Sequence, residues 1–104
     1  MKTHSGFDES GRPYSISAAG YLDKELVTDL SETEQTVVNG WINTKISKAK
    51  KTFPGSSYWL KHLLERETGI YMTNNQFKDA MARNGYRPID SEPLNWEYRI
   101  EFKK

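Results

Sequence analysis

The sequence predicts an α+β fold, in which a flexible N-terminal arm precedes three helices and a C-terminal β-hairpin. Gly69 follows a predicted helix, at a position where glycine commonly ends a helix in the left-handed conformation. Thr73 and Gln76 follow with the spacing of a capping box, which fixes the start of the next helix. Residues 96–103 then alternate strictly between apolar and charged side chains, as a half-buried strand does. The order of helix, short turn, helix and two-stranded wing is that of a winged helix-turn-helix.

The arm is predicted over residues 1–29, and the winged-helix-like domain over residues 30–104. The arm mixes glycine, proline and serine with isolated aromatic residues and shows no sustained helical or strand period. Residues 1–34 hold seven acidic and three basic residues, a charge of −4; because the whole chain carries +1, the remainder carries +5. This asymmetry favours a basic working surface and an acidic, flexible arm.

The first helix is predicted over roughly residues 32–47. Ser31 and Glu34 form a second capping box at its start. Behind this box the apolar residues fall on one helix face, at Val37, Val38, Trp41, Ile42 and Ile46. Pro54 and Gly55 break the chain, so residues 48–55 are predicted to be a basic loop.

The second helix begins at Ser56 or Ser57 and carries its apolar stripe at Leu60, Leu63 and Leu64. The third helix is predicted over residues 74–84, with Met72 and Phe77 as a hydrophobic staple at its start. Residues 86–89 and 96–103 are the two predicted strands of the wing.

Composition excludes several classes of function. The chain of 104 residues is at most one domain, and it has no cysteine for a disulfide, a thiolate metal site or a nucleophilic thiol. His4 and His62 have no metal-ligand partner at helical spacing, and no catalytic signature is present, so we expect no cofactor, no metal and no enzyme activity. No apolar run approaches the roughly 20 residues of a membrane span, which favours a cytoplasmic protein without membrane contact.

Two groups of residues are candidates for nucleic-acid contact. If the third helix enters a major groove, Asn74, Asn75, Lys78 and Arg83 are of the types that read base edges. Asp79 opposes this unless it pairs with Arg83 four residues on. The second group is basic and would neutralise phosphates: Lys48, Lys50, Lys51 and Lys61, with Arg87 and Arg99 on the wing. An ordinary solvated surface is the alternative explanation for both groups.

Three segments of the sequence resemble one group of proteins. The run from Ser57 to His62, the run from Gly69 to Met81 and the segment Asn95–Ile100 resemble small, largely uncharacterised proteins of Gram-positive phages and integrative elements. The similarity covers roughly residues 36–102. The resemblance implies that the protein belongs to a mobile element, and it identifies no catalytic residues. The layout also resembles winged-helix modules beside viral-type primase-helicases, except that a basic loop takes the place of their strand between the first two helices.

The sequence therefore favours a small nucleic-acid-binding protein of a phage or mobile element, a regulator or replication accessory that holds double- or single-stranded DNA. The alternative is a protein-binding inhibitor of a host enzyme or defence complex, such as an anti-CRISPR protein. The near-neutral total charge, Asp79 and the acidic arm favour this alternative. A homodimer is compatible with either function.

Overall fold

The computed structural model describes residues 4–103, so residues 1–3 of the predicted arm and Lys104 lie outside it. The elements in chain order are β1 (His4–Phe7), β2 (Pro13–Ile16), β3 (Leu22–Asp23), a 3-10 turn (Val27–Asp29), α1 (Glu32–Lys45), β4 (Ile46–Lys48), α2 (Ser57–Thr68), α3 (Asn74–Arg83) and β5 (Ile100–Phe102). β1, β2 and β3 form one antiparallel sheet, and β4 pairs with β5 in a second. The predicted α+β class with three helices is confirmed.

The helix termini follow the predicted capping signals. The Ser31 hydroxyl accepts the backbone N–H of Glu34 at 3.1 Å, and the Thr73 hydroxyl accepts that of Gln76 at 3.1 Å. Both boxes are closed by the return bond from the glutamate or glutamine side chain. Gly69 ends α2 with φ of 79°, the left-handed conformation expected of it.

The C-terminal alternation is confirmed, but its predicted partner is wrong. Trp96, Tyr98 and Ile100 are buried, whereas the charged residues between them are exposed. β5 pairs with β4, and backbone hydrogen bonds continue this antiparallel contact as far as Ser57 N to Trp96 O at 2.7 Å. Residues 86–89 are not a strand. Alternation decides which face of a strand is buried, but it does not decide which segment supplies the partner.

The segment predicted as a flexible arm is folded over residues 4–29. β2 and the 3-10 turn pack on α3, with Ser15 and Val27 buried at the contact, whereas Ser5 of β1 is buried against Ser91 and Trp96. Both serines meet polar groups: Ser15 bonds to Asn75 and Lys78 of α3, and Ser5 bonds to the Ser91 carbonyl and the Trp96 indole N–H. An apolar period of 2 is therefore absent from the sequence even though strands form.

The apolar core lies between the three helices and the C-terminal segment. α1 contributes Val38, Trp41 and Ile42, α2 contributes Leu60 and Leu64, α3 contributes Phe77, Ala80 and Met81, and the C-terminal segment contributes Trp96, Tyr98 and Ile100. No helix within residues 4–103 has the length and apolar character that would let it cross a membrane.

Candidate nucleic-acid interface

The outer face of α3, predicted to read DNA bases, is covered by the N-terminal segment. Asn75 and Lys78 are both 0% exposed. β2 and the 3-10 turn pack against this helix and occupy the place that a DNA groove would need. The structure thus places the polar groups of Asn75 and Lys78 inside the protein, where they are satisfied by internal partners and do not face a ligand.

Asn75 joins two parts of the N-terminal segment to α3. Its side-chain nitrogen donates to the carbonyl oxygens of Pro13 at 2.8 Å and Glu25 at 2.9 Å. Its side-chain oxygen accepts the hydroxyl of Ser15 at 2.9 Å. These three bonds use the amide for structure and leave little of it for a ligand.

Lys78 extends beneath β2. Its Nζ donates to the hydroxyl of Ser15 at 2.8 Å and lies 4.6 Å from the centroid of the Trp96 ring. No carboxylate comes within ion-pair distance of it in the part of the chain that the structure describes. Burial lowers the pKa of Lys78 to about 8, and the nearby charge of Asp23 only partly opposes this effect.

We expect the free energy of unfolding to rise with pH between about 8 and 10.5, the lowered and ordinary pKa values of Lys78. In this window the unfolded chain still binds the proton that the folded chain has released, so higher pH favours the folded state. Below it both states are protonated, and the penalty of burying an ammonium group is fully present. Urea unfolding of the wild type and of Lys78→Met over this range isolates the effect. A stability difference between the two that does not change with pH would contradict it.

The remaining candidates on α3 are also engaged. Asp79 and Arg83 do pair, with Arg83 Nε donating to Asp79 Oδ2 at 2.8 Å. Arg12 Nη1 donates to the other carboxylate oxygen at 2.8 Å. The Asn74 side chain donates to the carbonyl of Leu94 at 3.1 Å and accepts the hydroxyl of Ser57 at 2.8 Å. α3 therefore organises the protein's interior and offers no row of free side chains to bases.

Five of the predicted basic residues do come together on one exposed surface. We call Lys48, Lys50, Lys51, Arg87 and Arg99 the basic face; all five are exposed. Lys48, Arg87 and Arg99 line a cleft of about 360 Å³. Lys48, Lys50 and Lys51 line a neighbouring cleft of about 620 Å³, and both clefts include Ala49 and Ile100. The basic face is thus continuous across the β4–β5 sheet.

Backbone pairing brings these distant residues together. The N–H of Ala49 donates to the carbonyl of Arg99 at 3.0 Å, which places the basic loop beside the C-terminal segment. The N–H of Ile89 donates to the carbonyl of Glu97 at 3.0 Å, which brings Arg87 to the other side. Gly85, with φ of 90°, makes the sharp turn after α3 that this arrangement needs.

The charge of the basic face is largely uncompensated. Within residues 4–103, none of its five cations forms an ion pair with a carboxylate. Glu101 is the one acidic side chain among the described residues that line the two clefts. Positive charges held together on one surface attract a polyanion and displace its bound counterions on contact.

Lys61, predicted with the basic group, lies elsewhere and is 5% exposed. Its Nζ is 5.1 Å from the centroid of the Tyr58 ring and 5.3 Å from that of Tyr71. Burial lowers the pKa of Lys61, and the charge of Glu65 opposes this. The structure thus places Lys61 against two tyrosine rings and apart from the other predicted basic residues.

A third cleft, which the sequence did not indicate, lies between the N-terminal sheet and the start of α3. It measures about 310 Å³ and is flanked by Tyr21 and Tyr58, which are 76% and 51% exposed. We call it the tyrosine cleft. Its floor includes Ser15, Ser17 and Asp23. The only signal in the sequence was an aromatic residue standing alone in a glycine- and serine-rich segment.

The described residues show no metal site, since no three histidine, cysteine or acidic side chains cluster within 4–103. His62 lies 3.8 Å from Glu65, and His4 shares a 2.9 Å hydrogen bond with Tyr14. Comparison with models of known protein families, with curated proteins and with solved structures found no significant match.

Proposed function

We propose that the protein binds nucleic acid through the basic face. The observation that carries this proposal is the convergence of five exposed cations from three chain segments, none of which forms an ion pair within residues 4–103. Each lysine or arginine that neutralises a phosphate releases condensed counterions, and this supplies affinity that does not depend on sequence. The buried face of α3 argues against base reading by that helix.

The proposed mode of nucleic-acid contact differs from that of a winged helix. A recognition helix would read base edges, whereas the basic face presents lysine and arginine side chains beside a two-stranded sheet. Such a surface holds the phosphate backbone and gives strong salt dependence. The setting, a phage or mobile element, rests on the resemblance alone. The role of a regulator or replication accessory stays a prediction.

Charge reversal of the basic loop tests this proposal. Lys50→Glu with Lys51→Glu should weaken binding to every sequence and make the dependence of log K on log salt shallower by about 2, roughly 1 for each lost phosphate contact. Fluorescence anisotropy of a labelled duplex and a labelled single strand, titrated at low and moderate salt, measures both quantities.

Lys24→Glu with Arg66→Glu is the matched control, because it changes the net charge equally at two exposed residues outside the basic face. The control should retain most of the affinity. Equal losses in the two double variants would show that total charge matters and the basic face does not. Unchanged affinity after the Lys50 and Lys51 changes would refute the proposed surface.

The second candidate function is binding of a host protein, for example as an inhibitor of an enzyme or a defence complex. The tyrosine cleft favours it, because exposed tyrosines supply large contact area at low entropic cost and are enriched where proteins bind each other. A partner captured from nuclease-treated lysate that is lost with Tyr21→Ala, and kept with the Lys50 and Lys51 changes, would support this function over the first.

A further inference from the structure

A cluster of aromatic rings lies directly beside the basic loop. The ring centroid of Phe53 is 5.7 Å from that of Trp59 and 5.1 Å from that of Phe102. Trp59 and Phe102 are 6.4 Å apart, so the three rings touch one another. We call them the aromatic cluster. Trp59 is 48% exposed, whereas Trp41 and Trp96 are 6% and 0% exposed.

The aromatic cluster is continuous with the basic face. The cleft of about 620 Å³ that contains Lys50 and Lys51 is also lined by Phe53 and Phe102. A further cleft of about 290 Å³, lined by Phe53, Pro54, Gly55 and Trp59, adjoins it and shares Phe53 and Pro54. A ligand lying along the lysines therefore meets the exposed Trp59 ring at the end of the same path.

Gly55 allows two of the rings to close over the backbone. A Cβ atom at this position would lie 2.8 Å from Cε2 of Phe53 and 2.9 Å from Cε3 of Trp59, closer than side chains normally approach. Because Gly55 has no side chain, the Phe53 and Trp59 rings can pack against each other over the loop. The exposed face of Trp59 is consequently held in place beside flexible lysine side chains.

We propose that the basic face and the aromatic cluster together bind single-stranded nucleic acid, with phosphates along Lys48, Lys50 and Lys51 and a base stacked on Trp59. This inference rests on the proposed function and narrows it. A single strand exposes the faces of its bases, whereas a duplex keeps them stacked on one another inside the helix. A positively charged path interleaved with aromatic rings is the arrangement that holds single strands without regard to sequence.

Intrinsic fluorescence reports directly on the stacking, since Trp59 is the exposed one of the three tryptophans. Three unlabelled ligands of equal length are compared: oligothymidylate, an abasic deoxyribose-phosphate strand and a duplex. Oligothymidylate should quench the emission and bind more tightly than either of the others. The abasic strand should bind through its phosphates alone and leave the emission nearly unchanged.

The variant Trp59→Ala should weaken oligothymidylate binding by about 5- to 150-fold, the range of one base–aromatic contact, and affect the abasic strand little. Tyr58→Ala is the matched control, because Tyr58 is an adjacent exposed aromatic residue on α2 that lines the tyrosine cleft instead. It should leave oligothymidylate binding unchanged. Trp59→Leu keeps apolar contact with Phe53 and Phe102, and it should lose the same affinity as Trp59→Ala if stacking is the cause.

The outcomes separate this inference from the proposed function. If all three ligands bind equally, depend on Lys50 and Lys51, and are insensitive to Trp59→Leu, then stacking is refuted while phosphate binding stands. If no ligand binds at low salt, both are refuted. If the duplex binds most tightly without quenching, the basic face recognises double-stranded nucleic acid and the single-strand inference is wrong.

Discussion

Replacing Phe77 by alanine should destabilise the protein by about 3 to 5 kcal/mol, as expected for removing a fully buried phenylalanine from a core. Phe77 is 0% exposed and lies on the inner face of α3. It packs in the same cluster as Met72, which precedes the helix, so its loss removes core packing and the hydrophobic staple together. Urea unfolding followed by circular dichroism measures the change.

Tyr21→Ala serves as the control for Phe77→Ala, since it also removes an aromatic ring but from a side chain that is 76% exposed. Its effect should stay within about 0.5 kcal/mol, the usual range for surface positions. A loss below about 1 kcal/mol for Phe77→Ala would be incompatible with a helix buried at this position.

Replacing Asp79 by alanine should cost about 3 kcal/mol, near the low end for a broken buried ion pair, because the two freed arginines can reach water. The carboxylate is 0% exposed. It accepts from Arg12 and Arg83, each at 2.8 Å, and from the backbone N–H of Val27 at 3.0 Å. The Asp79 side chain therefore binds the N-terminal segment at two positions, Arg12 and Val27.

Hydrogen exchange gives the sharper test of Asp79→Ala. Amides of β1, β2 and Val27 should exchange faster in the variant, whereas those of α2 should change little. Arg83→Ala is the comparison, because it leaves Arg12 and Val27 bound to the carboxylate and should cost much less. Uniformly faster exchange throughout the chain would show that Asp79 supports global stability and not the docking of this segment.

The helices were predictable because their signals are local. Ser31 with Glu34 and Thr73 with Gln76 satisfy backbone groups within one turn, and Gly69 relieves strain at one residue. Strand pairing was not predictable in the same way. The alternating C-terminal segment pairs across more than fifty residues with β4, and nothing in its pattern distinguishes that partner from residues 86–89.

The candidate site was predictable only in part, for a related reason. Lys48, Lys50 and Lys51 are neighbours in the sequence, so their clustering was visible, whereas Arg87 and Arg99 join them only through the fold. The burial of Asn75 and Lys78 was not predictable, because burial of a polar side chain depends on a distant partner. Ser15, which satisfies both Asn75 and Lys78, looks like an ordinary loop serine in the sequence.

The contact between β1 and the loop before Trp96 has a consequence for how the chain folds. The backbone N–H of Ser5 donates to the carbonyl of Glu92 at 2.9 Å, and Trp96 Nε1 donates to the hydroxyl of Ser5 at 2.9 Å. β1 therefore completes its contacts only with residues that lie far along the chain, 91 positions away in the case of Ser5 and Trp96. Such non-local pairing slows folding, so β1 is the element that docks late and spends longest exposed to other chains.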